Sequence, residues 1–189
     1  MTQNDGRAGF TIVELVMVML IVGIMASIVV PMIRPERFQL DSAVIEVASS
    51  FTSQQRNAVL RQHNTVVGVD TVERHLRVHY DLDNDGEIGT AEQWFVIELG
   101  DGVTFGRGGA PARPMSNLSV SMAKVQGSLP VITYRRNGSA SEEAIIYLTS
   151  PRGALSGSYP EDSRAVEIAR ATGRVTCYSY ASGAWEQAC

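Results

Sequence analysis

The chain has little of what an enzyme needs. Its 189 residues include only three histidines and two cysteines. It has no nucleophile motif, no histidine spaced to pair with a cysteine, and no glycine-rich turn between strand and helix. These absences exclude a recognisable hydrolase nucleophile and a phosphate cradle. Positive charge is short as well: sixteen Lys and Arg against twenty Asp and Glu leave a net charge of −4. That balance provides no general attraction for nucleic acid or an anionic membrane face, so any such binding needs a local patch. Length is a further limit, because 189 residues fit one membrane-length segment and one ordinary core, not two full domains beside the helix. Both cysteines, Cys177 and Cys189, fall in the last thirteen residues. They read as one local disulfide of an oxidising compartment, with two reduced thiols as the alternative.

Charge is nearly absent from one long stretch. From Phe10 to Ile33, 24 residues carry Glu14 as their only charge. As a helix the run rises about 36 Å, enough to cross a ~30 Å hydrocarbon core. A cleaved secretory signal would have a positive n-region and a cut after the apolar stretch. The nine residues ahead of this run, MTQNDGRAG, carry one Asp and one Arg, which cancel. A plain membrane anchor fits everything except Glu14, since a carboxylate inside a membrane helix costs roughly 3 kcal/mol unless it finds a partner.

Gly9-Phe10-Thr11-Ile12-Val13-Glu14 resembles the type IV prepilin motif: a short polar leader, Gly before the cut, Phe as first mature residue and Glu as the fifth. Pro31 falls at mature position 22, where pilins commonly carry a helix-loosening proline. The resemblance implies that a membrane-embedded prepilin peptidase removes the leader, residues 1–9, by cutting after Gly9, and methylates the new amine of Phe10. It further implies that Glu14 pairs with the terminal amine of a neighbouring subunit during assembly. A carboxylate in an apolar bundle is compensated by such an ammonium.

Residues 10–33 are then the transmembrane and assembly helix, and residues 34–64 its amphipathic continuation. In the latter, Leu40, Val44, Val47, Phe51 and Ala58 recur at spacings of three, four or seven, which predicts a helix laid on a sheet. Pro31 and Pro35 predict a kink or local melting near residues 27–35. From residue 65 to 189 the apolar period becomes two, in TVVGVD, RHLRVHYD, EQWFVIEL, VITYRR, EAIIYLTS, RAVEIAR and RVTCYSY. The expected class is therefore α+β, a long N-terminal helix packed on antiparallel sheet, pilin-like. GRGGAPARPMSN, residues 106–117, reads as an exposed, mobile loop.

This order is similar to the GspH/FimT family of minor pseudopilins and minor pilins. The likeness is carried by the amino terminus, the acidic turn at 81–92, the hairpin VITYRRNGSASEEAIIYLT and the closing TGRV. It implies a structural subunit rather than an enzyme: a minor pseudopilin of a type II secretion system, single-pass in the cell inner membrane with its globular domain in the periplasm. Prepilin peptidase and other pilin-type subunits are the implied partners. A minor pilin of a type IV pilus and a DNA-binding competence pilin are the alternatives. Some members of the FimT branch bind DNA through a carboxy-terminal GRxR element, but Gly173-Arg174-Val175-Thr176 lacks the second arginine. Glu161, Asp162, Glu167 and Glu186 also dilute Arg152, Arg164, Arg170 and Arg174, which are expected on solvated strand faces. Nucleic acid is thus not the expected partner.

DLDNDGEIGTAE, residues 81–92, spells a calcium loop. Asp81, Asp83 and Asp85 offer hard oxygens, the Glu87 carbonyl takes the seventh position and Glu92 closes the set. The flanking sequence is strand-like where the usual calcium-binding hand has helices, so a solvated Asx-rich turn is the alternative. If calcium binds, its role is structural and not required for any chemistry. In RHLRVHY, alternation puts His75, Arg77 and His79 on one face, with the imidazoles about 13 Å apart, too far to share a metal. These two, and the lone His63, are expected at the surface.

Overall fold

A computed structural model of the protein describes residues 10–29, 35–114 and 120–189. The chain separates into two compact units, residues 1–35 and 36–189. In the first, helix α1 spans Ile12–Val29. Thr11 begins it, its hydroxyl accepting the Glu14 N–H at 3.2 Å. Thr11 and Glu14 thus occupy the first and last places of a Thr-x-x-Glu capping box. Gly9 and Pro31, and most of the predicted kink region, lie outside the described residues.

The second unit opens with helix α2, Pro35–Arg61. Leu40, Val44, Val47, Phe51 and Ala58 are all buried, as their spacing predicts, joined by Ala43 and Ala48. This stripe meets the inner faces of two antiparallel sheets in a single core cluster. The first sheet has the order β3-β2-β1-β7-β6, built from β1 (Asn64–Asp70), β2 (His75–Asp81), β3 (Trp94–Glu98), β6 (Val125–Gln126) and β7 (Leu129–Tyr134). The second has the order β11-β10-β9-β8-β4, with β4 (Thr104–Phe105), β8 (Ala144–Thr149), β9 (Ser163–Ile168), β10 (Val175–Ala181) and β11 (Ala184–Gln187). Strand β5 (Val120–Ser121) also pairs with β8. Each of the seven predicted strands is present, and the fold is α+β as expected.

Alternation decides the faces. Val67 and Val69 of β1, Leu76 and Val78 of β2, and Ile132 and Tyr134 of β7 point to α2, where the Tyr134 and Phe51 rings meet edge-on at 6.4 Å. Burial raises the Tyr134 pKa, and among the described residues its hydroxyl has no hydrogen-bond partner.

Polar groups fix both ends of α2. At its start Glu36 pairs with Arg152 at 2.9 Å, Arg37 with Glu161, and Asp41 with Arg164 at 2.6 Å. Arg152 also holds the buried Asp162 at 2.7 Å, beside the Ser150 hydroxyl that caps the short helix α3, Pro151–Ser156. Arg164 is buried and Arg152 sits on α3, so neither lies on a solvated strand face. A bare pattern of strand residues could not show that α2 supplies their carboxylate partners. Near its other end, Gln55 donates to the carbonyls of Gly138 and Thr172.

The predicted exposed loop at 106–117 is corrected over its first half. Gly106, Gly108 and Ala110 are buried, and Gly106 N–H donates to Tyr147 O at 2.9 Å. Gly109 has φ 96°, and a Cβ there would lie 1.9 Å from Gly157 O. The glycines in that stretch permit close packing rather than motion. Residues 115–117 lie outside the described part.

Candidate functional site

Helix α1 carries the apolar amino terminus. Every described side chain from Phe10 to Ser27 is exposed, with Phe10 at 83%. Its apolar residues therefore have no partner among the described residues of their own unit, and a helix that is apolar all round needs one from outside. Glu14 lies in the first turn, where the positive end of the helix dipole favours a carboxylate. Among the described residues no helix is long and apolar enough to cross a membrane. The 18 residues of α1 rise about 27 Å, just under a hydrocarbon core, and the apolar sequence continues beyond them to Ile33.

The acidic turn connects β2 and β3. One carboxylate oxygen from each of Asp81, Asp83 and Asp85 lies within 4.8 Å of the others. Asp81 is fully buried and accepts from Gly86 N–H at 2.8 Å, Asp85 N–H at 3.1 Å and the Asn64 amide at 3.1 Å. Asn84 and Gly86 adopt left-handed φ of 63° and 79°, which turns the chain back toward Asp81. Glu92 instead folds onto Gly89 N–H at 2.8 Å, and the Glu87 carboxylate pairs with Lys124 at 2.9 Å. Three of the expected donors thus converge, while the Glu92 carboxylate is engaged elsewhere. Strands flank the turn on both sides, as its surrounding sequence predicted.

Cys177 and Cys189 are joined by a disulfide with Cα atoms 5.0 Å apart. It closes the β10–β11 hairpin, whose Ser182-Gly183 turn has φ of 51° and 86°, the left-handed pair a two-residue hairpin favours.

The histidines differ from expectation. His79 is buried and stacks on Trp94 with centroids 6.0 Å apart, while His75 is part-buried beside Asp70 and Arg77. His79 lines a cleft of about 600 Å³ together with Asp70, Arg77, Gln126 and Ser128. Burial, then the Arg77 charge, lowers the His79 pKa. The pattern placed these side chains on the correct face but could not foresee Trp94 covering one. His63 is part-buried and lies 3.4 Å from the Asn84 amide through Nδ1.

Comparison with known proteins matches residues 4–30 to the prokaryotic N-terminal methylation motif. No curated protein matches the chain. Among solved structures, one of the minor pseudopilin EpsH from the type 2 secretion system of Vibrio cholerae is similar at 13% identity and a TM-score of 0.48, covering 73% of this chain and 94% of that one. A crystal structure of the same pseudopilin aligns at 10% identity and a TM-score of 0.37, covering 80% and 94% respectively. The chain carries the prokaryotic N-terminal methylation motif at residues 4–30, ahead of an α+β unit built on its own helix.

Proposed function

We propose that the protein is a minor pseudopilin of a type II secretion system, a structural subunit of a short periplasmic filament anchored in the inner membrane. The observation that carries the reading is the methylation motif at residues 4–30 on an apolar helix whose side chains find no partner in their own unit. Prepilin peptidase cuts after Gly9 and methylates Phe10. Residues 10–33 hold the subunit in the membrane until assembly. Glu14 then faces the amine of a neighbouring subunit, which offsets the cost of placing a carboxylate among apolar helices. Residues 34–189 stand in the periplasm, where the Cys177–Cys189 bridge is at home. The subunit performs no catalysis.

A structural cation belongs to the same reading. Asp81, Asp83 and Asp85 offer calcium hard oxygens in a loop already bent toward one point, and the ion would relieve repulsion among three close carboxylates. Calorimetry with millimolar calcium checks this: binding heat and a raised melting temperature are expected, and neither would appear at a merely solvated turn.

A deletion strain assayed in parallel for secreted proteins, surface pili and uptake of labelled DNA tests the assignment. Loss of secretion with pili intact is the expected result. Loss of pili or DNA uptake with secretion intact would assign the subunit to a type IV pilus or to competence instead.

A further inference from the structure

The membrane-side motif leaves one charged surface of the folded unit unexplained. Gln55 ties α2 to two turns at once, through Gly138 O at 2.8 Å and Thr172 O at 2.5 Å. The turns also touch each other, since a Cβ on Gly173 would lie 2.3 Å from Gly138 O. Arg135 and Arg136 flank the first turn, Arg170 and Arg174 the second, and Arg56 follows Gln55 on the helix. All five are exposed, and among the described residues none has an ion-pair partner. At the start of α2, Arg37, Arg152 and Arg164 are each paired with carboxylates, whereas Arg61 in its last turn lies over the Tyr80 ring, 4.8 Å from its centroid. Five cations beside rigid turns, within a chain of net charge −4, are an uncompensated local field.

The middle of this surface is apolar. Gln55, Arg56, Val59 and Leu60 line a shallow hollow of about 300 Å³, with Leu60 79% exposed and Val59 40% exposed. Val59 lies against the Gly138 turn, so the hollow abuts the arginines. An apolar centre with a charged rim is the usual anatomy of a protein-docking surface. A groove that tracks phosphates would instead present aromatic platforms or an unbroken basic track. Two features oppose an anion here: the negative end of the α2 dipole, worth about half a charge, and Glu142 and Glu143, which share a cleft with Arg170. Neither cancels five arginines.

We infer that this end of α2 docks an acidic segment of a partner protein, which places an apolar side chain in the Val59–Leu60 hollow and carboxylates on Arg56, Arg135, Arg136 and Arg174. The inference is independent of which filament the subunit joins.

The test uses the full chain in detergent and three fluorescent probes: a glutamate-rich peptide with two central leucines, the same peptide with serines in their place, and a mixed-sequence DNA duplex. The leucine peptide is expected to bind most tightly, with affinity falling as salt rises. Binding should weaken more than about tenfold in Arg135→Glu/Arg136→Glu and roughly fivefold in Leu60→Ser, since truncating a central apolar anchor and reversing rim charges both reduce affinity. Leu60 and Arg136 are exposed, and Arg135 gives up only its bond to the Ala140 carbonyl, so an unchanged melting temperature is expected for Leu60→Ser and at most a small fall for the arginine variant. Tighter binding of the duplex, equal binding of the two peptides, no binding of the leucine peptide, or binding that Arg135→Glu/Arg136→Glu leaves unchanged would each overturn the inference.

Discussion

Helices α1 and α2 come from one sequence and solve opposite problems. Helix α1 is apolar on every side and exposed on every described side chain, whereas α2 buries one stripe and leaves polar residues outside. An amphipathic helix completes its partnership inside its own unit. A uniformly apolar one carries its unsatisfied surface outward, to lipid or to other helices. Stability of the folded domain should therefore depend on α2 and be indifferent to α1, while assembly should depend on α1.

The sharpest form of that contrast is a pair of substitutions. Phe51→Ala removes a fully buried ring from the α2 seam and should lower stability by about 4 kcal/mol, read as a large fall in the melting temperature of the domain. Leu15→Ala and Glu14→Ala in α1 should leave that transition in place, and Glu14→Ala should abolish incorporation into the filament. A domain that melts early in the Glu14 variant would break the comparison.

Next in size is the disulfide, which closes a small loop beneath the same core, where Cys177 is fully buried. Cys177→Ser should cost about 3 kcal/mol under oxidising conditions. Adding a reductant to the unaltered chain should produce most of that loss, and the effect of the variant should shrink accordingly.

Acid should loosen the polar anchor at the start of α2. Burial opposes ionisation of Asp162, but hydrogen bonds from Arg152 and Ser150 and the charges of Arg152 and Arg37 prevail and lower its pKa. For Asp70, the Glu73 N–H bond leads, burial opposes, and the Val72 N–H, His75 and Arg77 complete the lowering. A carboxyl depressed on folding stabilises the native state above its unfolded pKa of about 4, and that contribution is lost as pH falls through the lower folded value. Stability should thus decline below about pH 4, and Asp162→Asn should both flatten the decline and cost about 2 kcal/mol at neutral pH by leaving Arg152 without its buried partner. An unchanged acid limb in that variant would remove Asp162 from the account.

The smallest effect concerns the Tyr134 hydroxyl, which is buried against the α2 core with no partner. Tyr134→Phe keeps the ring contact with Phe51 and removes an uncompensated polar group, so it should leave the melting temperature unchanged or raise it slightly. A clear fall would mean that the hydroxyl does find a partner.

The same contrast explains what could be read from the chain. The α2 stripe and the seven main strands were legible because periods of 3.6 and two follow directly from which face is buried. Strands β4, β5 and β6 were not, since two residues carry no period. Strand β11 was legible through its turn, since the Ser-Gly signal between the two cysteines predicts the hairpin that the disulfide closes. The glycines at 106–109 looked like a loop because their packing against Tyr147 and Gly157 depends on distant segments. At the amino terminus, Phe10 and Glu14 were legible as a motif, and Thr11-x-x-Glu14 also spells the capping box whose first bond the structure contains. In the acidic turn Asp81, Asp83 and Asp85 come together, but spelling could not show that the Glu92 carboxylate turns to Gly89 N–H or that the Glu87 carboxylate pairs with Lys124.

The most direct test of the central claim is the intact mass of the protein extracted from membranes. Pilin-type processing predicts a chain that lacks residues 1–9 and begins at N-methylated Phe10. An unprocessed chain beginning at Met1, with Phe10 unmodified, would contradict it.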